Sequence, residues 1–271
     1  EIPETFGVDM DIDAIAINID TVWAGVYDPV GLMKIIDDNI TIYQMDSLDF
    51  YYIYRIAVDR TNQVWAASPW GKIIRFNGHK FDVWSPSDHW SDSTHMFYWD
   101  DGPIQGIEVD EDNKIWFAGY SDYLGNILAS YSNDNWEIFS GPDVGERYLN
   151  GFTLDNNNNK WICLYNYGIA KLSNDLTWTV YDTTNSNIPG VEFSDIHSDR
   201  DGSIWIATYN IGIISFEQNT NNWSVYNSEN SEQVFSFIHT IKGTGKVLWP
   251  GSNTFGGFPN GLGGLVRIKV P

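Results

Sequence analysis

An all-β chain of six like units is predicted by three observations. A Trp inside a short apolar strand recurs as Trp23, Trp65, Trp116, Trp161, Trp205 and Trp249, at intervals of 42, 51, 45, 44 and 44 residues. Around each Trp, short runs alternate apolar and polar residues and break at Asp, Asn or Gly, the pattern of antiparallel strands and tight turns. No stretch carries an apolar stripe at helical spacing for more than a turn or two. A repeat of about 40–45 residues with four short strands is that of a propeller blade. The expectation is a six-bladed β-propeller of four-stranded antiparallel blades, forming one domain over residues 1–271.

The first unit starts near Asp13: Ile15, Ile17 and Ile19 alternate, followed by the runs Thr21 to Gly25, Gly31 to Ile35 and Ile40 to Tyr43. The second reads Ile56 to Asp59, Val64 to Ala67, Gly71 to Phe76 and Phe81 to Trp84. The third reads Val109-Asp110, Ile115 to Ala118, Gly125 to Leu128 and Trp136 to Phe139. The fourth reads Leu154-Asp155, Lys160 to Ile162, Gly168 to Leu172 and Trp178 to Tyr181. The fifth, Asp199 to Tyr226, states the repeat most fully: a polar turn, a Trp strand, a Gly-initiated strand and a Trp-x-Val-Tyr strand. The sixth has Ile241, Val247 to Trp249, a Gly-rich insertion and Gly264 to Ile268, and it ends without a fourth strand. Phe6-Gly7-Val8 matches Phe81-Asp82-Val83 and Trp223-Ser224-Val225. The N-terminal strand is therefore expected to complete the last blade and close the ring, leaving no exposed edge.

With 36 acidic against 15 basic residues, the formal net charge is −21. That excludes a nucleic-acid partner, which needs clustered Lys and Arg, and disfavours an anionic membrane surface. Neutral or cationic ligands remain compatible. No apolar run is long enough to span a membrane. Cys163 is the sole cysteine and reads as a buried thiol in a strand. A chain of this size needs no disulfide or metal to hold its core, and no cofactor or metal is expected. It begins at Glu1 with neither Met nor signal peptide, which reads as a processed or trimmed chain. Asp110 to Asn113 and Asp199 to Gly202 superficially resemble calcium loops, but they lack the later acidic ligand. Asp, Asn and Gly there are what a tight hairpin demands.

The run Asp199 to Thr208, reading Asp-x-x-Gly-x-Ile-Trp-Ile-x-Thr, followed by Gly212-Ile213 and by Trp223 to Tyr226, resembles the repeat of the two-component regulator propellers. The resemblance extends over the whole chain, strongest in units four and five and weakest in one and six, which lack the Asp-x-x-Gly turn. It implies an extracytoplasmic sensory or ligand-binding domain of a bacterial regulator, often a carbohydrate-responsive one, periplasmic, secreted or held at the cell surface. Six units are fewer than in the paired propellers of that family. With no kinase or DNA-binding segment in the sequence, a stand-alone exported propeller fits equally well.

In a propeller, the loops joining each blade's second and third strands lie around the channel on one face. They hold Tyr27-Asp28, Trp70, Tyr120 to Tyr123, Tyr165-Asn166-Tyr167, Tyr209-Asn210, and Asn253 with Phe255 and Phe258. Aromatic faces stack on the C–H faces of sugar rings while amides and carboxylates take hydroxyls, the mixture of apolar walls and few polar groups typical of a binding site. Trp70, Tyr120, Tyr165 and Tyr209 are the candidate stacking residues; Asn166, Asn210, Arg55 and His239 are the candidate orienting groups. A Tyr copied with the repeat could equally be a packing residue. On the innermost strands, Asp13, Asp195, His197 and His239 are expected to be neighbours near the channel mouth, as an acid/base group or within a wet channel.

The function expected is that of a non-enzymatic exported propeller, monomeric, binding an oligosaccharide or other small ligand. One rival is a polysaccharide-cleaving lyase using His197 or His239 with a Tyr and Arg55. Another is a platform for a protein partner, docked on the aromatic 85–103 loop, since long loops in compact domains tend to be functional.

Overall fold

A computed structural model describes residues 12–27, 29–37, 39–45, 48, 50, 52–84, 90–91, 96–97, 103–121, 125–144, 148–231, 237–244, 247–252, 264–265 and 267–269. Six antiparallel sheets follow one another along the chain, each starting from its own Trp-bearing hairpin. Blade 1 comprises Ile12–Asn18, Thr21–Val26, Gly31–Ile36 and Asn39–Gln44. Blade 2 comprises Arg55–Val58, Val64–Ala67, Ile73–Phe76 and Phe81–Trp84. Blade 3 holds Ile104–Val109, Ile115–Ser121, Gly125–Ser132 and Asn135–Ser140. Blade 4 holds Leu149–Leu154, Lys160–Leu164, Gly168–Leu172 and Trp178–Asp182. Blade 5 is Phe193–Ser198, Ser203–Thr208, Ile213–Glu217 and Asn222–Tyr226. Blade 6 is Thr240–Thr244, Val247–Ser252, Gly264–Leu265 and Ile268–Lys269. No helix occurs among the described residues. The fold is the predicted six-bladed β-propeller of four-stranded antiparallel blades.

In blade 6 the expected third strand is split: Gly264–Leu265 pairs with Gly251 and Ser252, and Ile268–Lys269 pairs with Val247 and Leu248, both along the same partner strand. Phe6, Gly7 and Val8, expected to complete this blade, lie outside the described residues. So does most of the 85–103 loop, where Trp90–Ser91 and Met96–Phe97 form a small hairpin.

The chain forms two compact units, Glu1–Tyr123 with Ala129–Ile138, and Leu124–Leu128 with Phe139–Pro271. Within the first, Trp23, Leu32, Val64, Ala66, Ile74 and Phe76 bury the facing sheets of blades 1 and 2. Trp65 lies within 5.1–6.0 Å of Trp84, Phe117 and Tyr131, joining blades 2 and 3. The Arg75 guanidinium lies over Trp65, Trp84 and Tyr131 and reaches Asp82 at 2.7 Å. Within the second unit, Trp161, Ile169, Ile196, Ile206 and Phe216 join blades 4 and 5. Trp205, Ile213, Ile241, Leu248 and Ile268 join blades 5 and 6. Within each unit, neighbouring sheets thus pack face to face, which is how a repeat that cannot bury its own apolar face becomes stable.

One motif holds the hairpin end of blades 2 to 5. The indole Nε1 of Trp65, Trp116, Trp161 and Trp205 donates to Asp59, Asp110, Asp155 and Asp199, six residues earlier, at 2.8–3.0 Å. The second oxygen of each carboxylate accepts backbone N–H groups of its own turn, as Asp199 does from Asp201 and Ser203. Three residues after each Asp the chain takes a left-handed conformation, at Asn62, Asn113, Asn158 and Gly202. That is why the turn needs Asn or Gly there. These bonds account for the whole run, and the calcium-loop resemblance has no part in it. Blades 1 and 6 have no Asp at this place. Blade 1 turns through Ile19 at φ 51°, a strained position for a β-branched residue.

Candidate binding face

The opposite end of each blade is where the first strand begins and the second strand finishes. In blades 3, 4 and 5 the register of these two strands slips there, leaving Gln105, Asn150 and Ser194 as the extra residues. Bulges re-aim side chains, and all three reach a neighbouring blade. Asn150 Nδ2 donates to Phe193 O at 2.8 Å, Ser194 Oγ donates to Ile238 O at 2.5 Å, and Gln105 receives Arg55. None of these three is among the expected site residues; the signal for them is a polar residue eleven positions before the Trp of blades 3, 4 and 5.

In the second unit, this end gathers the aromatic residues of three consecutive blades. The Tyr165 amide donates to Tyr148 O, the Tyr209 amide to Glu192 O, and the His239 amide to Gly251 O, so each loop is fixed by backbone bonds. Blades 5 and 6 are tied at the same level by Ile238 N to Thr208 O at 2.9 Å. Upon this frame the Tyr165 and Tyr209 rings stand 6.4 Å apart at 74°. Tyr209 meets Phe237 at 5.3 Å and His239 at 5.4 Å, and Phe237 meets His239 at 5.2 Å. Tyr148 and Tyr165 are exposed, by 62% and 36%; Tyr209 and Phe237 are partly so. Asn166 takes φ 55° and its amide donates to Val191 O; its side chain and that of Asn210 face solvent. His239 Nε2 is enclosed and has no hydrogen-bond partner among the described residues.

The first unit treats the same end differently. Trp70 is 51% exposed, its amide donating to Ser68 Oγ. Tyr27 meets Tyr52 edge-on at 6.1 Å, and Tyr52 leads to Tyr54 at 6.4 Å. Arg55, a candidate orienting group, lies 4.0 Å over the Tyr54 ring. It donates to Tyr54 O, Gln105 O and Gln105 Oε1, so its guanidinium bridges blades 2 and 3. Tyr120, a candidate stacking residue, is only 7% exposed. It is the sixth residue of the strand Ile115–Ser121, whereas Tyr165 follows the last residue of its own strand. Asp28, Asp122, Tyr123, Asn253, Phe255 and Phe258 lie outside the described residues.

Of the innermost polar set, Asp195 and His197 are engaged across blades 5 and 6, and the Asp13 side chain lies outside the described residues. Asp195 accepts from Ile196 N, Thr240 Oγ1 and Ile241 N, pinning blade 5 to blade 6. His197 Nε2 lies 3.0 Å from Gly243 O. Burial first, and the nearby Lys242 charge second, push this imidazole down to about 4. It stays neutral and holds a carbonyl. Cys163 is fully buried, and burial pushes its thiol well up, as expected of an inert core residue. No group of metal-ligating side chains occurs among the described residues. No helix among them is long and apolar enough to cross a membrane.

Comparison with known proteins agrees with this architecture. The sequence signature of the two-component regulator propeller matches residues 187–210, which include the first two strands of blade 5. No curated protein matches by sequence. Among solved structures, the chain is similar to a catalytically inactive variant of virginiamycin B lyase from Staphylococcus aureus, solved with quinupristin. The identity is 18%, with 89% of this chain and 78% of that one covered and a TM-score of 0.71. A luciferin-regenerating enzyme is similar at 10% identity, covering 96% and 91% of the two chains, with a TM-score of 0.63. The extracellular domain of a hybrid two-component system from B. thetaiotaomicron matches at 16% identity and TM-score 0.56, over 94% of this chain and 40% of that one. At such identities the likeness is one of fold. The chain is a six-bladed β-propeller, and residues 187–210 of its fifth blade match the two-component regulator propeller repeat.

Proposed function

We propose that this propeller is an exported sensory or ligand-binding module that takes an oligosaccharide on the aromatic end of blades 4 to 6. The observation that carries the reading is the cluster of Tyr165, Tyr209, Phe237 and His239, with Tyr148 beside it, held on fixed backbone while its outermost rings remain exposed. Exposed rings that are not needed to fill a core are suited to the apolar face of a sugar, with Asn166 and Asn210 beside them for hydroxyls. The regulator-propeller repeat and the likeness to an extracellular sensor domain support the sensory part of this reading. Trp70 stands on the first unit and is not needed for it.

A thermal-shift panel of oligosaccharides tests the reading, because a ligand held only by the folded form raises the melting point. A rise with one sugar class supports it; no rise with any sugar removes it. The lyase alternative would instead give new ultraviolet absorbance from unsaturated products. Silence in both assays would favour a protein partner, with the 85–103 loop the segment to delete first.

A further inference from the structure

The angles between the rings say how a ligand would sit. A platform for an extended polymer needs successive rings lying in one plane, so that sugar after sugar stacks face-on. Here Tyr165 and Tyr209 meet at 74°, and Tyr209 and His239 at 75°. Two near-perpendicular walls make a corner. It offers one face to stack on and one edge to abut, which suits a single ring better than a chain.

The corner is also chemically one-sided. Behind Tyr209 and Phe237 lies the imidazole of His239, whose Nε2 finds no partner among the described residues. An enclosed imidazole nitrogen with no partner among the described residues has hydrogen-bonding capacity left for a ligand group. Tyr209 and Phe237, whose rings stand 5.4 and 5.2 Å from the imidazole, are both partly exposed. Asn166 and Asn210 add neutral polar groups, and Glu192 adjoins the Tyr209 backbone. With a formal net charge of −21, the chain repels anionic sugars.

We propose that this face recognises the terminal ring of a neutral oligosaccharide, seated in the Tyr165–Tyr209 corner, with His239 Nε2 as its polar anchor and the exposed Tyr148 as a second platform. The inference rests on the reading that this end binds sugar, and it adds the ligand's charge, its length and the residue that selects it.

Calorimetric titration with cello-, malto-, xylo-, manno- and galacturono-oligosaccharides, each from monosaccharide to hexasaccharide, tests it on the whole chain. A neutral series should gain affinity up to the disaccharide and then stay level, and galacturonides should not bind. Tyr209→Ala and His239→Phe, the second keeping a ring in place, should each weaken binding about tenfold, and His239→Gln should restore part of the loss. Affinity that climbs with every added ring, preference for galacturonides, or wild-type binding by His239→Phe would overturn the inference while leaving the sugar-binding reading standing. No binding by any probe would remove both.

Discussion

At the hairpin end of blades 2 to 5, one arrangement is repeated with little change: an Asp carboxylate, a left-handed residue three positions on, and an indole N–H at 2.8–3.0 Å. At the opposite end blades 1, 3, 4 and 5 share a Tyr four residues after the Trp but differ in its exposure and in what surrounds it. Blade 2 offers an exposed Trp70, blade 3 a buried Tyr120, blade 4 Tyr165 with Asn166, and blade 5 Tyr209 against the Phe237 and His239 of blade 6. Chemistry that is copied belongs to the fold, because every blade must close the same hairpin. Chemistry that varies on fixed backbone is free to meet something else.

The sharpest way to break this contrast is to remove one copy of the shared motif. Asp155 accepts from Asn157 N, Asn159 N, Trp161 Nε1 and Gln218 Nε2. Asp155→Ala leaves a buried indole unpaired and loosens the turn, and should cost about 3 kcal/mol in urea unfolding. Molecules still folded should bind ligand as before. If ligand binding fell and stability did not, the division between the two ends would be wrong.

Acid should act on the fold next most strongly. Burial favours protonation of Asp155, but the bonds from Asn159, Trp161 and Gln218 outweigh it and hold this carboxyl below its usual value. His197 is depressed from 6.5 to about 4. Between those two pH values the unfolded chain binds a proton that the folded chain refuses, so stability is full above about pH 6.5 and falls as the pH drops towards 4. The His197 part is about 2–3 kcal/mol. His197→Gln should flatten that stretch of the stability profile, with the Asp155 contribution lost only at lower pH. An unaltered profile in His197→Gln would show that burial does not hold this imidazole neutral in the folded chain.

At the aromatic end the balance should reverse. Tyr209→Ala removes a partly exposed ring and should cost about 1 kcal/mol of stability, while weakening ligand about tenfold. The smallest effect sharpens the structural side. Ile19 occupies a left-handed position at 87% exposure, so Ile19→Asn should stabilise the chain by about 0.5–1 kcal/mol. Destabilisation would mean that the Ile19 side chain is held by contacts that outweigh its backbone strain.

The sequence carried the shared chemistry legibly and the varied chemistry poorly. Trp spacing, strand alternation and Asp-to-Asn turns are local patterns that each blade restates, so six antiparallel sheets could be read without coordinates. The Asp-to-Trp bond was also written there as a constant spacing of six. The loop positions of the aromatics were readable too, but their exposure was not. Tyr120 and Tyr165 stand at like places in their units, yet one is buried and the other open, because exposure depends on which neighbouring loop covers the ring. Arg55 seemed free for a ligand because nothing in the sequence places Gln105, fifty residues later, under its guanidinium. The partners of Asp195 and His197, Thr240 and Gly243 of blade 6, lie comparably far along the chain from them.

The most direct test of a structural end opposite a binding end is a side-by-side melt of Asp199→Ala and Tyr209→Ala, each with and without the best-binding sugar at saturation for the wild type. Asp199→Ala should melt well below the wild type yet keep its full ligand-induced rise, whereas Tyr209→Ala should melt near the wild type and lose most of that rise. A full rise retained by Tyr209→Ala, or one abolished in Asp199→Ala, would contradict the account.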